Sequence, residues 1–147
     1  MKTLIFGSDH AGLSLKNFLT SVLSVEYDIN IIDIGTFTND SCDYPDYAKE
    51  VCESVLNIEN SLGILICGTG IGMSIAANKI KNIRCANCCT EYMAVMARKH
   101  NNANVISIGA RTTSSNLAFE IVKSFLTTEF EGDRHKRRID KLKELYN

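Results

Sequence analysis

Cys67-Gly68-Thr69-Gly70-Ile71-Gly72 is the segment best placed to do chemistry. It follows an apolar run, Leu62 to Ile66, and precedes Met73 to Ile80, which reads as a helix. A glycine-rich turn between strand and helix lets bare backbone N–H groups face an oxygen-rich ligand. The cysteine at the strand end lies next to the positive end of that helix, a field that favours a thiolate. An ionisable group beside an anion cradle outlines a reaction site, with Cys67 as nucleophile or base. The bland alternative is a buried structural cysteine before a tight turn.

A cysteine nucleophile needs a base, and the candidates are His10 and His100. His10 stands beside Asp9 after the first apolar run. His100, in Arg98-Lys99-His100-Asn101-Asn102, follows a helix, where its ordinary role is to face the helix dipole. The stretch Asp133 to Lys143 carries six Lys/Arg against two Asp. Such a run is usually a solvated face. Arg134 and Arg138, four apart, share one side of a helix and could grip a phosphate dianion. Cys85-x-x-Cys88-Cys89 invites a metal or redox reading, but no second CxxC or paired histidines accompany it. Cysteine as a small hydrophobe in a strand is the better account, and no metal is expected.

The elements that must position these residues alternate. Strands are expected at Lys2–Gly7, Ile29–Gly35, Leu62–Ile66, Ile83–Cys88 and Asn104–Gly109. Helices are expected over Leu13–Leu23, about 46–56 behind Pro45, Met73–Ile80, Glu91–Lys99, 115–126 and about 134–146. This order predicts an α/β, Rossmann-like three-layer sandwich: a five-stranded parallel sheet with helices on both faces. Ligands then bind beyond the carboxyl ends of the strands, where Asp9-His10, Cys67 to Gly72 and Gly109-Ala110-Arg111 converge.

The chain of 147 residues is read as one domain, 1–147, large enough to bury a core. A net charge of -1 gives no global attraction to nucleic acid or acidic membranes. No apolar stretch is long enough to span a bilayer, and the first strand begins almost at Met1. A cytoplasmic location with reduced thiols is therefore the expectation. The glycine loop fits neither nucleotide template. A Walker loop needs Gly-Lys-Ser/Thr where Gly72-Met73-Ser74 stands, and Met73 occupies the place of a dinucleotide fingerprint's third glycine.

Six blocks occur in order: Gly7-Ser8-Asp9-His10-Ala11-Gly12, Asp43 to Ala48, Cys67 to Gly72, Arg98 to Asn101, Asn104-Val105 with Gly109-Ala110-Arg111, and Arg134 to Arg138. Together they resemble ribose-5-phosphate isomerase type B, within the wider family that includes galactose-6-phosphate isomerase subunits. The resemblance covers nearly the whole chain. It implies interconversion of ribose 5-phosphate and ribulose 5-phosphate through an enediolate, without metal or organic cofactor. It also implies a homodimer with active sites at the subunit interface, and dimers that could pair into tetramers.

By matched positions, Cys67 resembles the base that moves a proton between C1 and C2, and His100 the acid that opens the furanose ring. Asp9, Tyr44 and Asn101 match sugar-contacting positions. Gly68, Thr69, Gly70, Ile71 and Gly72 match the loop around the enediolate. His10, Arg111, Arg134 and Arg138 match the phosphate-binding set. One branch of the family replaces the cysteine and places a glutamate after the last glycine. Met73 stands there, so the cysteine branch is implied. Asn102 (many relatives have Asp) and Cys89 are departures that remove no required group. Two alternatives stay open: a six-carbon sugar phosphate (allose or galactose 6-phosphate) as substrate, or a noncatalytic nucleotide-binding module.

Overall fold

The computed structural model describes residues 1–145. Its sheet holds β1 (Thr3–Ser8), β2 (Asn30–Asp33), β3 (Ser61–Cys67), β4 (Cys85–Asn87) and β5 (Val105–Gly109), and its helices are α1 (Leu13–Glu26), α2 (Tyr44–Asn57), α3 (Ile71–Ala77), α4 (Glu91–Asn101), α5 (Ser115–Thr127) and α6 (Arg134–Lys143). The strand order is β2-β1-β3-β5-β4. Every pairing is parallel. The expected α/β sandwich is therefore observed.

Alternation along the strands divides the core. Leu4, Phe6, Ile64, Ile66, Ile106 and Ile108 pack with α1, α4 and α5. Ile5, Leu65, Cys67 and Val105 pack on the opposite face with α2 and α3. Successive side chains of a strand point to opposite faces, so β1 and β3 serve both cores and carry almost no polar residues. Cys67 thus points to the α2/α3 face.

The direction in which strands are added reverses between β1 and β3, because β2 is added on one side and β5 and β4 on the other. That switch point opens a crevice at the strands' carboxyl ends. Asp9 N–H donates to Ile66 O at 3.2 Å, and Ala110 N–H to Cys67 O at 2.8 Å. The three polar segments expected at this edge are therefore stitched together.

Several boundaries move. α2 begins at Tyr44 rather than about 46, with Pro45 in its first turn, where a missing N–H costs nothing. α3 begins at Ile71, because Gly70 supplies the left-handed entry (φ 81°). α4 runs on to Asn101, so His100 and Asn101 lie inside its last turn rather than after it. Asn102 ends that helix in the left-handed region (φ 43°), a conformation asparagine tolerates better than most residues. α6 ends at Lys143. Tyr146, the expected end of that helix, lies outside the described residues.

Candidate active site

The functional candidates form two clusters at opposite edges of the sheet. The first surrounds Cys67. Its Sγ is buried and accepts the Gly70 N–H at 3.2 Å. Thr69 Oγ1 accepts the Ile71 N–H at 3.2 Å in a local turn at the entry to α3, which leaves the hydroxyl proton available. Two of the backbone donors expected for an anion are thus already engaged. Gly72 N–H, in the first turn of α3, makes no hydrogen bond among the described residues.

Close packing explains the glycines. A Cβ on Gly70 would overlap Asn87 Oδ1 and come within 3.0 Å of the Ile108 carbonyl carbon. One on Gly72 would lie 2.7 Å from the Tyr44 ring, so Tyr44 rests directly on the loop. Arg111 lies over Gly68, where an added Cβ would sit 3.1 Å from its guanidinium. Arg111 N–H also donates to Gly68 O at 2.9 Å. Asn87, at the end of β4, was not singled out from sequence. Its Oδ1 accepts from Ser107 Oγ at 3.3 Å, a cross-strand pairing that a single sequence does not reveal.

The crevice side is equally organised. Asp9 is buried, and its Oδ1 accepts the Ala11 and Gly12 N–H groups at 3.0 and 3.2 Å. The carboxylate expected to touch a sugar therefore also caps a turn. His10 Nδ1 accepts the Cys42 N–H at 3.2 Å. That bond assigns the proton of a neutral ring to Nε2, the nitrogen left to donate to a ligand. It also ties the 36–43 loop to the crevice.

The second cluster lies elsewhere. α4 starts beyond the carboxyl end of β4 and returns to the amino end of β5. His100 and Asn101 are therefore near Val105, whereas Cys67 is paired with Gly109. Those two registers are about 13 Å apart at the rise of a parallel strand. The His100 ring stacks on His135 of α6, with centroids 4.1 Å apart and planes 12° from parallel. Arg134 and Arg138 flank His135 and, after burial, help hold its imidazole below the usual range. Arg84 clamps the end of α4 by donating to Asn101 O (3.1 Å) and Asn102 O (2.9 Å). Two hollows of about 490 and 620 Å³ lie on this side of the molecule, and Cys67 lines neither.

Two buried side-chain polar atoms lack a hydrogen-bond partner among the described residues, Ser8 Oγ and His135 Nε2. One falls in each cluster. Neither was picked out from sequence, since burial without a partner is a property of the fold. The remaining cysteines divide by environment. Burial pushes the Cys52, Cys85 and Cys88 thiols up to about 12, so they are neutral hydrophobes. No helix among the described residues is long and apolar enough to cross a membrane.

A family model described as ribose/galactose isomerase matches residues 4–142. The chain belongs to this family. Ribose-5-phosphate isomerase B of Escherichia coli is 44% identical over 140 residues, covering 95% of this chain and 93% of that protein. A putative sugar phosphate isomerase of Bacillus subtilis is 48% identical over 143 residues, covering 97% and 95%. Among solved structures, a ribose 5-phosphate isomerase from Thermotoga maritima superposes with a TM-score of 0.94 at 47% identity, over 98% of this chain and 99% of that one. Ribose-5-phosphate isomerase B of Mycoplasma genitalium with bound ribulose-5-phosphate gives 0.91 at 41% identity, over 97% and 94%. This ribose/galactose isomerase family member is accordingly an isomerase-type enzyme with an α/β fold.

Proposed function

We propose that the chain interconverts ribose 5-phosphate and ribulose 5-phosphate, and that a complete active site forms between two copies. The observation that carries the reading is the division of the candidate residues between two sheet edges. Cys67, Thr69, Gly68 to Gly72, Asp9, His10, Tyr44 and Arg111 form one half. His100, Asn101, Arg134 and Arg138 form the other. One sugar phosphate cannot bridge the length of a strand within one chain. A two-fold pair resolves this, because each copy offers its Cys67 half to the partner's His100 half, giving two equivalent sites.

The chemistry follows from the groups. In its neutral form the His100 imidazole can serve as acid and base at the ring oxygen and hydroxyl of the furanose, opening it to the aldehyde. Cys67 thiolate then takes the C2 proton and returns it to C1. Charge builds on the carbonyl oxygen as the enediolate forms. The Gly72 N–H and the Thr69 hydroxyl are the donors left uncommitted to meet it, each worth on the order of 3 kcal/mol of barrier. Arginines and His10 hold the phosphate, so binding remote from the reacting carbons fixes their position. No step requires a metal or organic cofactor.

The test is a panel of ribose 5-phosphate, allose 6-phosphate and galactose 6-phosphate offered to purified protein. Preferred turnover of the pentose phosphate is expected. Preferred turnover of a hexose phosphate would reassign the substrate, and saturable nucleotide binding without sugar turnover would sink the reading.

A further inference from the structure

We propose that His100, Glu131 and His135 form a binding site for a borderline divalent cation of the zinc class, which inhibits the enzyme when occupied. One ligand atom from each of these residues lies within 4.8 Å of the others. His135 Nε2 stands 3.9 Å from Glu131 Oε2. That nitrogen is buried, on a side chain only 5% exposed, and makes no hydrogen bond among the described residues. An unpartnered buried imidazole nitrogen beside a carboxylate and a second imidazole is a ligand atom without its acceptor.

The three residues are held from different directions. His100 sits in the last turn of α4 and His135 in the first turn of α6. Glu131 N–H donates to Lys99 O at 3.1 Å, which pins the intervening segment to the end of α4. Two imidazoles and a carboxylate suit zinc, cobalt(II) or nickel(II), with positions open to water or an anion.

Two features set the terms of binding. Tetrahedral ligands at zinc–nitrogen distances stand about 3.3 Å apart, so the donors must draw in by about an ångström. The stacked rings must also turn until their lone pairs converge. Glu131 is exposed and free to swing. Arg134 and Arg138 oppose a cation here, so affinity is moderate, and an anion between metal and arginines strengthens it. Capture of His100 removes the acid proposed for ring opening. The inhibitory consequence therefore rests on the function proposed above, while the binding does not.

Cobalt(II) titration of the full-length protein is the test. The expected result is one ion per chain with the visible bands of a nitrogen and oxygen ligand set, displaced by zinc. The near-ultraviolet charge-transfer band of thiolate ligands is absent. Glu131→Gln and His135→Gln each weaken binding at least tenfold. Glu131 is exposed, so its variant decides the matter even where His135→Gln does not fold. In activity assays zinc inhibits the parent enzyme, and Glu131→Gln keeps basal turnover while losing at least tenfold in sensitivity. Unchanged cobalt affinity in Glu131→Gln, or a thiolate band on the bound ion, overturns the site whether or not the protein turns over sugar phosphates.

Discussion

The two edges of the sheet are built by different means. At the carboxyl edge the chemistry is carried by backbone: Gly70 N–H on the Cys67 sulfur, Asp9 across a turn, and Ala110 and Arg111 laddered onto Cys67 and Gly68. At the amino edge it is carried by side chains on helix ends, His100 on His135 with Arg134 and Arg138 exposed beside them. A backbone site is complete as soon as the chain folds. A site of exposed side chains on helix ends acquires its function from what is placed against it. That difference makes the pairing of edges, rather than either edge alone, the thing to break.

The largest effects are expected from removing one group at each edge. Cys67→Ala and His100→Asn each lose about three orders of magnitude in kcat, the scale of a proton-transfer group. Mixing the two inactive variants under conditions of subunit exchange separates the one-chain and two-chain sites. A random mixture contains hybrids with one intact site each, so about a quarter of the parent activity returns. No recovery, with exchange shown by mass spectrometry, would place both groups in one chain's site.

Next is Gly70→Ala. The added methyl meets Asn87 Oδ1 and the Ile108 carbonyl, at a φ of 81° that alanine rarely adopts. A fall of about a hundredfold in kcat is expected as the loop's donors lose their aim. Steady-state kinetics checks it. A comparable rise in KM alone would mean that the loop binds without aiding the chemistry.

The contrast also explains what could be read from sequence. The Cys67 loop was legible because strand, glycine turn and helix are contiguous, and element order brings Asp9 and Arg111 to the same edge. The roles at that edge were not fully legible. Asp9 caps a turn and Ile71 N–H is taken by Thr69, both local bonds that compete with ligand contact. The spacing places His100 after its helix, because Asn102 does not announce a left-handed stop as a glycine would. Its separation from Cys67 follows from the path of α4, which spacing alone does not give. Asn87, Ser8 and His135 depend on cross-strand register or burial and had no sequence signal.

A smaller effect tests how the carboxyl edge is held. Lys16 is fully buried, with Nζ 2.6 and 2.7 Å from the Asp33 oxygens, and Asp33 Oδ1 also accepts the Gly35 N–H. Gly35 and Thr36 in turn bond Ser8. Lys16→Met leaves a half-buried carboxylate without its cation. A loss of about 2 kcal/mol in denaturant midpoint analysis is expected, below the full cost of breaking a deeply buried pair because Asp33 reaches solvent. A raised KM should accompany it, since the same bonds lead to the His10 and Cys42 contact. Unchanged stability would show that this edge does not depend on the pair.

The last effect concerns pH. Cys52, Cys85 and Cys88 ordinarily ionise near 9.0, and burial moves each to about 12. Between those values the unfolded chain releases protons that the native chain keeps. The native state then binds more protons, so stability falls as pH rises past 9, the opposite sign to a salt-bridged carboxylate. Urea midpoints at pH 8, 9 and 10 should decline, and the decline should shrink in Cys52→Ala. Below pH 9 the same three thiols should resist iodoacetamide in the native protein, because the thiolate is the reactive form. Rapid alkylation of Cys52 would mean that the α2/α3 core beneath Cys67 opens readily. The carboxyl edge would then lack the fixed backing on which its backbone-built site depends.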